Sequence, residues 1–235
     1  MKFFKYGIDT LENKAEFESA KPFSHVVIDD AVDSKELQYL VSKYPNVSEK
    51  KWWVYDNELE RKYAFNDLSQ LDDKFSKFFE EANSPEFLSQ LENLSGLKNL
   101  IPDNSLRGGG LHQIVRGGKL DVHEDFNVHH DLKAFRKLNV IVYLNEDWDT
   151  SWGGDLQLWN ADMTTCEKSV YPIFNRMVIF RTDMKSNHGH PDPLMCPEGM
   201  SRKSLAMYYY VPMTEDEWNN HVLFLHNLSE DQKML

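Results

Sequence analysis

The sequence predicts a mainly β protein with flanking α-helices, in which helices pack on an antiparallel double sheet. Helical periodicity dominates up to residue 104. From 105 to 213, short runs rich in Val, Ile, Leu and Tyr are separated by Gly-Gly, Asn and Pro, the pattern of a sandwich or barrel. From residue 214 the signals turn helical again. We therefore expect one domain over 1–235, made of a helical N-terminal support region (1–104), a sheet core (105–213) and a C-terminal helix (214–235).

In order, "FSHVVIDDAV" reads as a strand. "DSKELQYLVSKYP" reads as a helix. Asp33 is its N-cap, Glu36 stands at capping-box spacing, and Leu37, Leu40, Val41 and Tyr44 recur on one face until Pro45. "SPEFLSQLENLSG" starts with Ser84 as cap and Pro85 at the first helical position, and stops at Gly96. Five strand-like runs follow: "GLHQIVR", "LNVIVYLN", "GDLQLWN", "NRMVIFRT" and "KSLAMYYYV". Thr214 and Glu217 then open the closing helix with a second capping box.

Composition narrows the function. Lys plus Arg number 26 and Asp plus Glu 38, for a net charge of −12. A nucleic-acid binder would carry a broad basic footprint, so no nucleic-acid partner is expected. No apolar run approaches a membrane span, and the basic start "MKFFKYG" lacks the apolar stretch of a signal peptide. A cytoplasmic, reducing setting is expected. The two cysteines, Cys166 and Cys196, then read as thiols, and with no CxxC pair a Cys-based zinc site is not expected. Oligomeric state is not legible.

"DVHEDFNVHHDL" contains His-x-Asp twice. A His and a carboxylate two residues apart supply two thirds of a facial metal triad. His123 and Asp125 end a short strand, where residues i and i+2 share a face. His129 and Asp131 follow a loop, and the reading favours the first pair. A third ligand has to come from another strand. "SNHGHPDPL", after an apolar run, offers His188 and His190, which share one parity. In "SRKSLAMYYY", Arg202, Ser204, Ala206, Tyr208 and Tyr210 alternate to one face. An inward Arg calls for a carboxylate, which its fork binds bidentately.

His123-x-Asp125, a later His188, then Arg202 and Ser204 resemble, in this order, the iron(II)- and 2-oxoglutarate-dependent dioxygenases. The likeness is greatest to their prolyl-4-hydroxylase-like branch and runs from about Pro22 to Pro212. The resemblance implies a double-stranded β-helix, or jelly roll. It implies that His123, Asp125 and His188 bind iron, His188 being preferred because it matches the "HG" position. It further implies that Arg202 and Ser204 bind 2-oxoglutarate, with Asn139 beside it. It implies dioxygen as co-reactant, ascorbate as a supporting reductant, and a peptide, prolyl included, or a small molecule as substrate. The carboxylate at Asp125 implies hydroxylation rather than halogenation. Ile114 and Leu120 stand where the branch often carries tyrosine. Two other classes remain open: a non-catalytic jelly-roll module, and a cupin-like metal enzyme without 2-oxoglutarate.

Several residues keep two readings. Trp52, Trp53, Tyr55 and Tyr63 suit a substrate-covering lobe or a satellite core equally. Trp148 and Trp152 lean to core packing. Phe126 and Asn127 stand where substrate would pass. Asp121, Glu124 and Asp131 suit a supporting shell or plain solvation. His221 and His226 read as structural.

Overall fold

The computed structural model describes residues 2–5, 7–182 and 185–227. Helices α1 (Leu11–Ser19), α2 (Ser34–Lys43), α3 (Asp73–Ala82) and α4 (Pro85–Ser95) precede the core, and α5 (Glu215–Asn227) closes it. The strands are β1 (His25–Asp29), β2 (Trp53–Asp56), β3 (Arg61–Phe65), β4 (Ile101–Pro102), β5 (Gly110–Val115), β6 (Leu120–His123) and β7 (Val128–His129). They continue with β8 (Ala134–Tyr143), β9 (Leu156–Trp159), β10 (Cys166–Val170), β11 (Arg176–Arg181), β12 (His188–His190) and β13 (Ser201–Pro212).

The expected caps form. Asp33 accepts from the backbone N–H groups of Lys35 and Glu36, and Ser84 from that of Phe87. Gly96 ends α4 in the left-handed region. Helix α5 begins at the predicted Thr214–Glu217 box; residues 228–235 and the side chain of His226 lie outside the described residues. Among those residues no helix is long and apolar enough to cross a membrane.

The major sheet runs β1-β11-β8-β13-β5-β3-β2, with β4 on β13 and β7 on β8; the minor sheet runs β10-β9-β12-β6. These two antiparallel sheets make the jelly roll. Besides the expected strand β1, the N-terminal region also contributes β2 and β3 to the major sheet. The stretch that carries Trp53, Tyr55 and Tyr63 forms the β2–β3 hairpin.

Both faces of the central strands are covered. Leu138, Val140, Val142, Leu205, Met207 and Tyr209 face the helical layer with Phe75, Phe78, Phe87 and Leu91. Tyr143, Val178 and Phe180 face the minor sheet, against Leu156, Leu158 and Val170. Two-sided burial explains why β8, β11 and β13 read as near-continuous apolar runs. The helices thus brace the major sheet from behind, and the space between the sheets holds an apolar plug beside a polar chamber.

Candidate metal centre and its two cavities

The site begins where β6 meets β12. His188 lies opposite His123, and His190 opposite Leu120. Between them, Gly189 passes so close to β6 that a Cβ there would come within 2.7 Å of the carbonyl oxygens of Leu120 and Asp121. Only glycine lets the strands approach this closely, and the approach presents both histidines to the interior. We expect Gly189→Ala to lower stability by about 1–3 kcal/mol, the usual range for overpacking. Mn(II) binding should weaken with it; thermal unfolding with and without Mn(II) reads both.

One ligand atom each from His123, Asp125 and His188 lie within 4.8 Å of one another. The ring tautomers follow from the partners. Nδ1 of His123 is 2.8 Å from the carbonyl of Asp121, and Nδ1 of His188 is 2.9 Å from that of Ser186. A carbonyl only accepts, so each Nδ1 carries the proton and each Nε2 presents a bare lone pair. Those Nε2 atoms stand 3.7 and 3.5 Å from the two oxygens of Asp125. Two neutral imidazoles with outer N–H groups engaged, and one carboxylate, form the donor set of a facial-triad iron site.

The carboxylate has its own support. Asn139 donates to Oδ2 of Asp125 at 2.7 Å, and Arg136 lies 3.0 Å from the same oxygen. Arg136 also donates to Asn139 at 2.8 Å and stacks 3.4 Å from the Tyr208 ring centre. Burial would raise the Asp125 carboxyl, but the adjacent Arg136 guanidinium opposes it, and the carboxyl lies well below the ordinary carboxylate range. Burial lowers His188 to about 4, against the pull of Asp125.

Two cavities meet here. An inner one of about 80 Å³ is lined by Asn139, His188, His190, Arg202, Ser204 and Tyr208, among others. An outer one of about 360 Å³ is lined by Tyr55, Leu59, Glu60, Phe126 and Arg136 among others. His123 and Asp125 belong to both, so the triad sits at their junction.

Arg202 is 6% exposed and turns into the inner cavity. Its Nε donates to the Gly154 carbonyl at 2.7 Å and its Nη2 to the Tyr143 hydroxyl at 3.1 Å. A Cβ at Gly154 would meet Leu194 at 2.6 Å and the Arg202 stem at 3.1 Å, so this position admits no side chain. No acidic side chain among the described residues forms an ion pair with Arg202. The expected carboxylate mate is not supplied by the protein, which leaves a buried cation facing a cavity and suits an anionic ligand.

The other sequence candidates divide. Asn139 does line the inner cavity, with its amide committed to Asp125. Tyr208 and Tyr210 both share the parity of Arg202, but Tyr208 lines the inner cavity whereas Tyr210, farther along β13, packs edge-on to His129. His129, which the sequence places just after a loop, lies in a strand. It is 2% exposed in β7, 3.5 Å from the buried Asp103, because pairing of β7 with β8 turns it inward. Asp131 is exposed. Glu124 accepts the backbone N–H of Lys185 at 2.9 Å, tying the end of β6 to the segment before β12. Asp121 pairs with Lys119. Trp52 and Tyr63 join the core or pack on it, Tyr55 lines the outer cavity, and Trp53 is exposed. The aromatic stretch is therefore divided between the core, the wall of the outer cavity and the exposed surface. Trp148 is buried and donates to Gly153, with Trp152 edge-on against it. Cys166 and Cys196 are free thiols. Arg136 and Tyr143 were not singled out from sequence, although Tyr143 shares the inward parity of Asn139.

Residues 109–210 match the family model described as the 2OG-Fe(II) oxygenase superfamily. No curated protein matches the chain. Among solved structures, a prolyl-4-hydroxylase from Pseudomonas putida superposes with a TM-score of 0.57 at 16% identity, over 86% of this chain and 100% of that one. A prolyl hydroxylase from Trichoplax adhaerens, in complex with a hypoxia inducible factor oxygen degradation domain peptide fragment, gives 0.56 at 17%, over 91% and 99%. HygX from Streptomyces hygroscopicus, with nickel, 2-oxoglutarate and hygromycin B bound, gives 0.56 at 13%, over 88% and 94%.

Proposed function

We propose that this chain, whose residues 109–210 match the model of the 2OG-Fe(II) oxygenase superfamily, is a 2-oxoglutarate-dependent dioxygenase that hydroxylates an unactivated C–H bond of a peptidyl or small-molecule substrate. One oxygen atom of dioxygen enters the substrate. The other enters succinate, formed from 2-oxoglutarate with loss of carbon dioxide. The observation that carries this reading is the triad at the junction of two cavities, with the buried Arg202 at the inner one.

In this reading His123, Asp125 and His188 hold iron(II), which when bound supplies the activation of dioxygen. The chain's own residues do the rest. Arg202 and Ser204 anchor the distal carboxylate of 2-oxoglutarate, and Tyr143 holds the Arg202 fork in place. Arg136 and Asn139 keep Asp125 ionised and oriented. Tyr55, Leu59 and Phe126 line an outer chamber in which substrate is shielded from water. The relatives that bind a peptide fragment and hygromycin B keep both substrate classes in view. A cupin-like enzyme without 2-oxoglutarate fits less well, because Arg202 faces the cavity rather than solvent.

The test is direct. Purified protein given iron(II), ascorbate and 2-oxoglutarate should release succinate, slowly alone and faster with a true substrate. Absence of both 2-oxoglutarate binding and succinate would refute the reading. A peptide and metabolite screen that follows succinate release would then identify the substrate.

A further inference from the structure

His190 has no place in the scheme above, yet it lies in the same chamber. It is 2% exposed and lines the inner cavity. Among the described residues neither Nδ1 nor Nε2 has a hydrogen-bond partner. An imidazole carries at least one N–H donor in every protonation state, and leaving a buried donor unmet costs about 1–3 kcal/mol. The orientation is built in: His190 is i+2 from His188 on one face of β12, and the close approach at Gly189 holds that strand against β6.

The surroundings say what would complete it. Arg202 is the charged group that acts on it most strongly, followed by Lys62 and His123. All three are cationic or basic groups. Ser204 lines the same cavity, and its side chain is buried. A guanidinium, a hydroxyl and an N–H around one small cavity are three donor types that a single carboxylate can satisfy together. A water molecule would meet His190 but would leave the charge of Arg202 uncompensated.

We propose that His190 donates a hydrogen bond to the distal carboxylate of the 2-oxo acid bound at Arg202, and so helps select a dicarboxylate co-substrate. This rests on the 2-oxoglutarate reading above and assigns His190 to the co-substrate rather than to the metal.

Calorimetric titration under anaerobic conditions tests it, with Mn(II)-loaded protein and 2-oxoglutarate as the probe. His190→Leu keeps the bulk and removes the donor; it should weaken 2-oxoglutarate binding about tenfold or more, as expected for a hydrogen bond to a charged group. His190→Gln should recover most of that affinity. The Mn(II) affinity of both variants should match wild type, which a general loss of strand packing would not allow. Two results overturn the proposal: His190→Leu binding 2-oxoglutarate within about twofold of wild type, or losing Mn(II) affinity in parallel. Should the Leu variant not fold, His190→Gln against the shorter His190→Asn makes the same comparison, and equal affinities there count against the proposal. Wild-type protein that binds Mn(II) but not 2-oxoglutarate would instead remove the functional reading itself.

Discussion

Asp125→Ala should abolish succinate formation and remove the stabilisation by Mn(II); it should also destabilise the metal-free fold by about 3–5 kcal/mol, the usual cost of leaving one member of a buried ion pair alone. The second effect comes from Arg136, whose side chain is 1% exposed and whose nearest anion is Asp125. Stacking on Tyr208 does not replace a counter-charge. Denaturant unfolding and a succinate assay separate the two roles. Adding Arg136→Met to Asp125→Ala should restore much of the stability and none of the turnover, because the unpaired cation is gone while the ligand is still missing. Succinate production by Asp125→Ala would show that the carboxylate is not a ligand.

Arg202→Ala should weaken 2-oxoglutarate binding by about 10²-fold or more, since truncating one partner of a buried charge pair costs about 2–5 kcal/mol. Mn(II) binding should change little, because Arg202 contacts Gly154 and Tyr143 and none of the three candidate ligands. Arg202→Lys should recover only part of the affinity. A lysine ammonium lacks the fork that donates to the Gly154 carbonyl and the Tyr143 hydroxyl while still facing the cavity. Titration of the Mn(II)-loaded variants measures each. Equal 2-oxoglutarate affinity in Arg202→Ala and wild type would place the anion elsewhere.

Residues whose roles follow from strand alternation were legible in the sequence. Arg202, Ser204 and Tyr208 share a parity, and all three line the inner cavity. His123 and Asp125 could be paired because they end one short strand. The strands β8, β11 and β13 announced themselves through burial on both faces. What stayed hidden depended on distant partners. The β2–β3 hairpin reads as polar because it lies at the sheet edge, with Trp53 and Val54 exposed. His129 reads as a loop residue until Asp103, 26 positions earlier, is placed beside it. Arg136 is the instructive miss. Simple alternation from Leu138 and Val140 would put it on the helical side, yet it reaches Asp125. Where β13 steps from Tyr209 to Tyr210, β8 steps from Leu138 to Arg136 and skips Lys137. That β-bulge reverses the parity of everything before it.

The skipped residue separates the role of the chain at this point from the role of its side chain. Lys137 occupies a position that most substitutions would leave undisturbed, since its own side chain is half-exposed and reaches back over Phe135. Were Lys137 paired in register opposite Tyr210, Arg136 would alternate to the helical side, into the apolar layer behind the major sheet. Its removal does the opposite: Arg136 then directly precedes Leu138, and simple alternation already turns it inward, opposite Tyr210 as now. The chain reaches the same pairing with or without the skipped residue, so we expect the position to tolerate both point changes and a one-residue deletion.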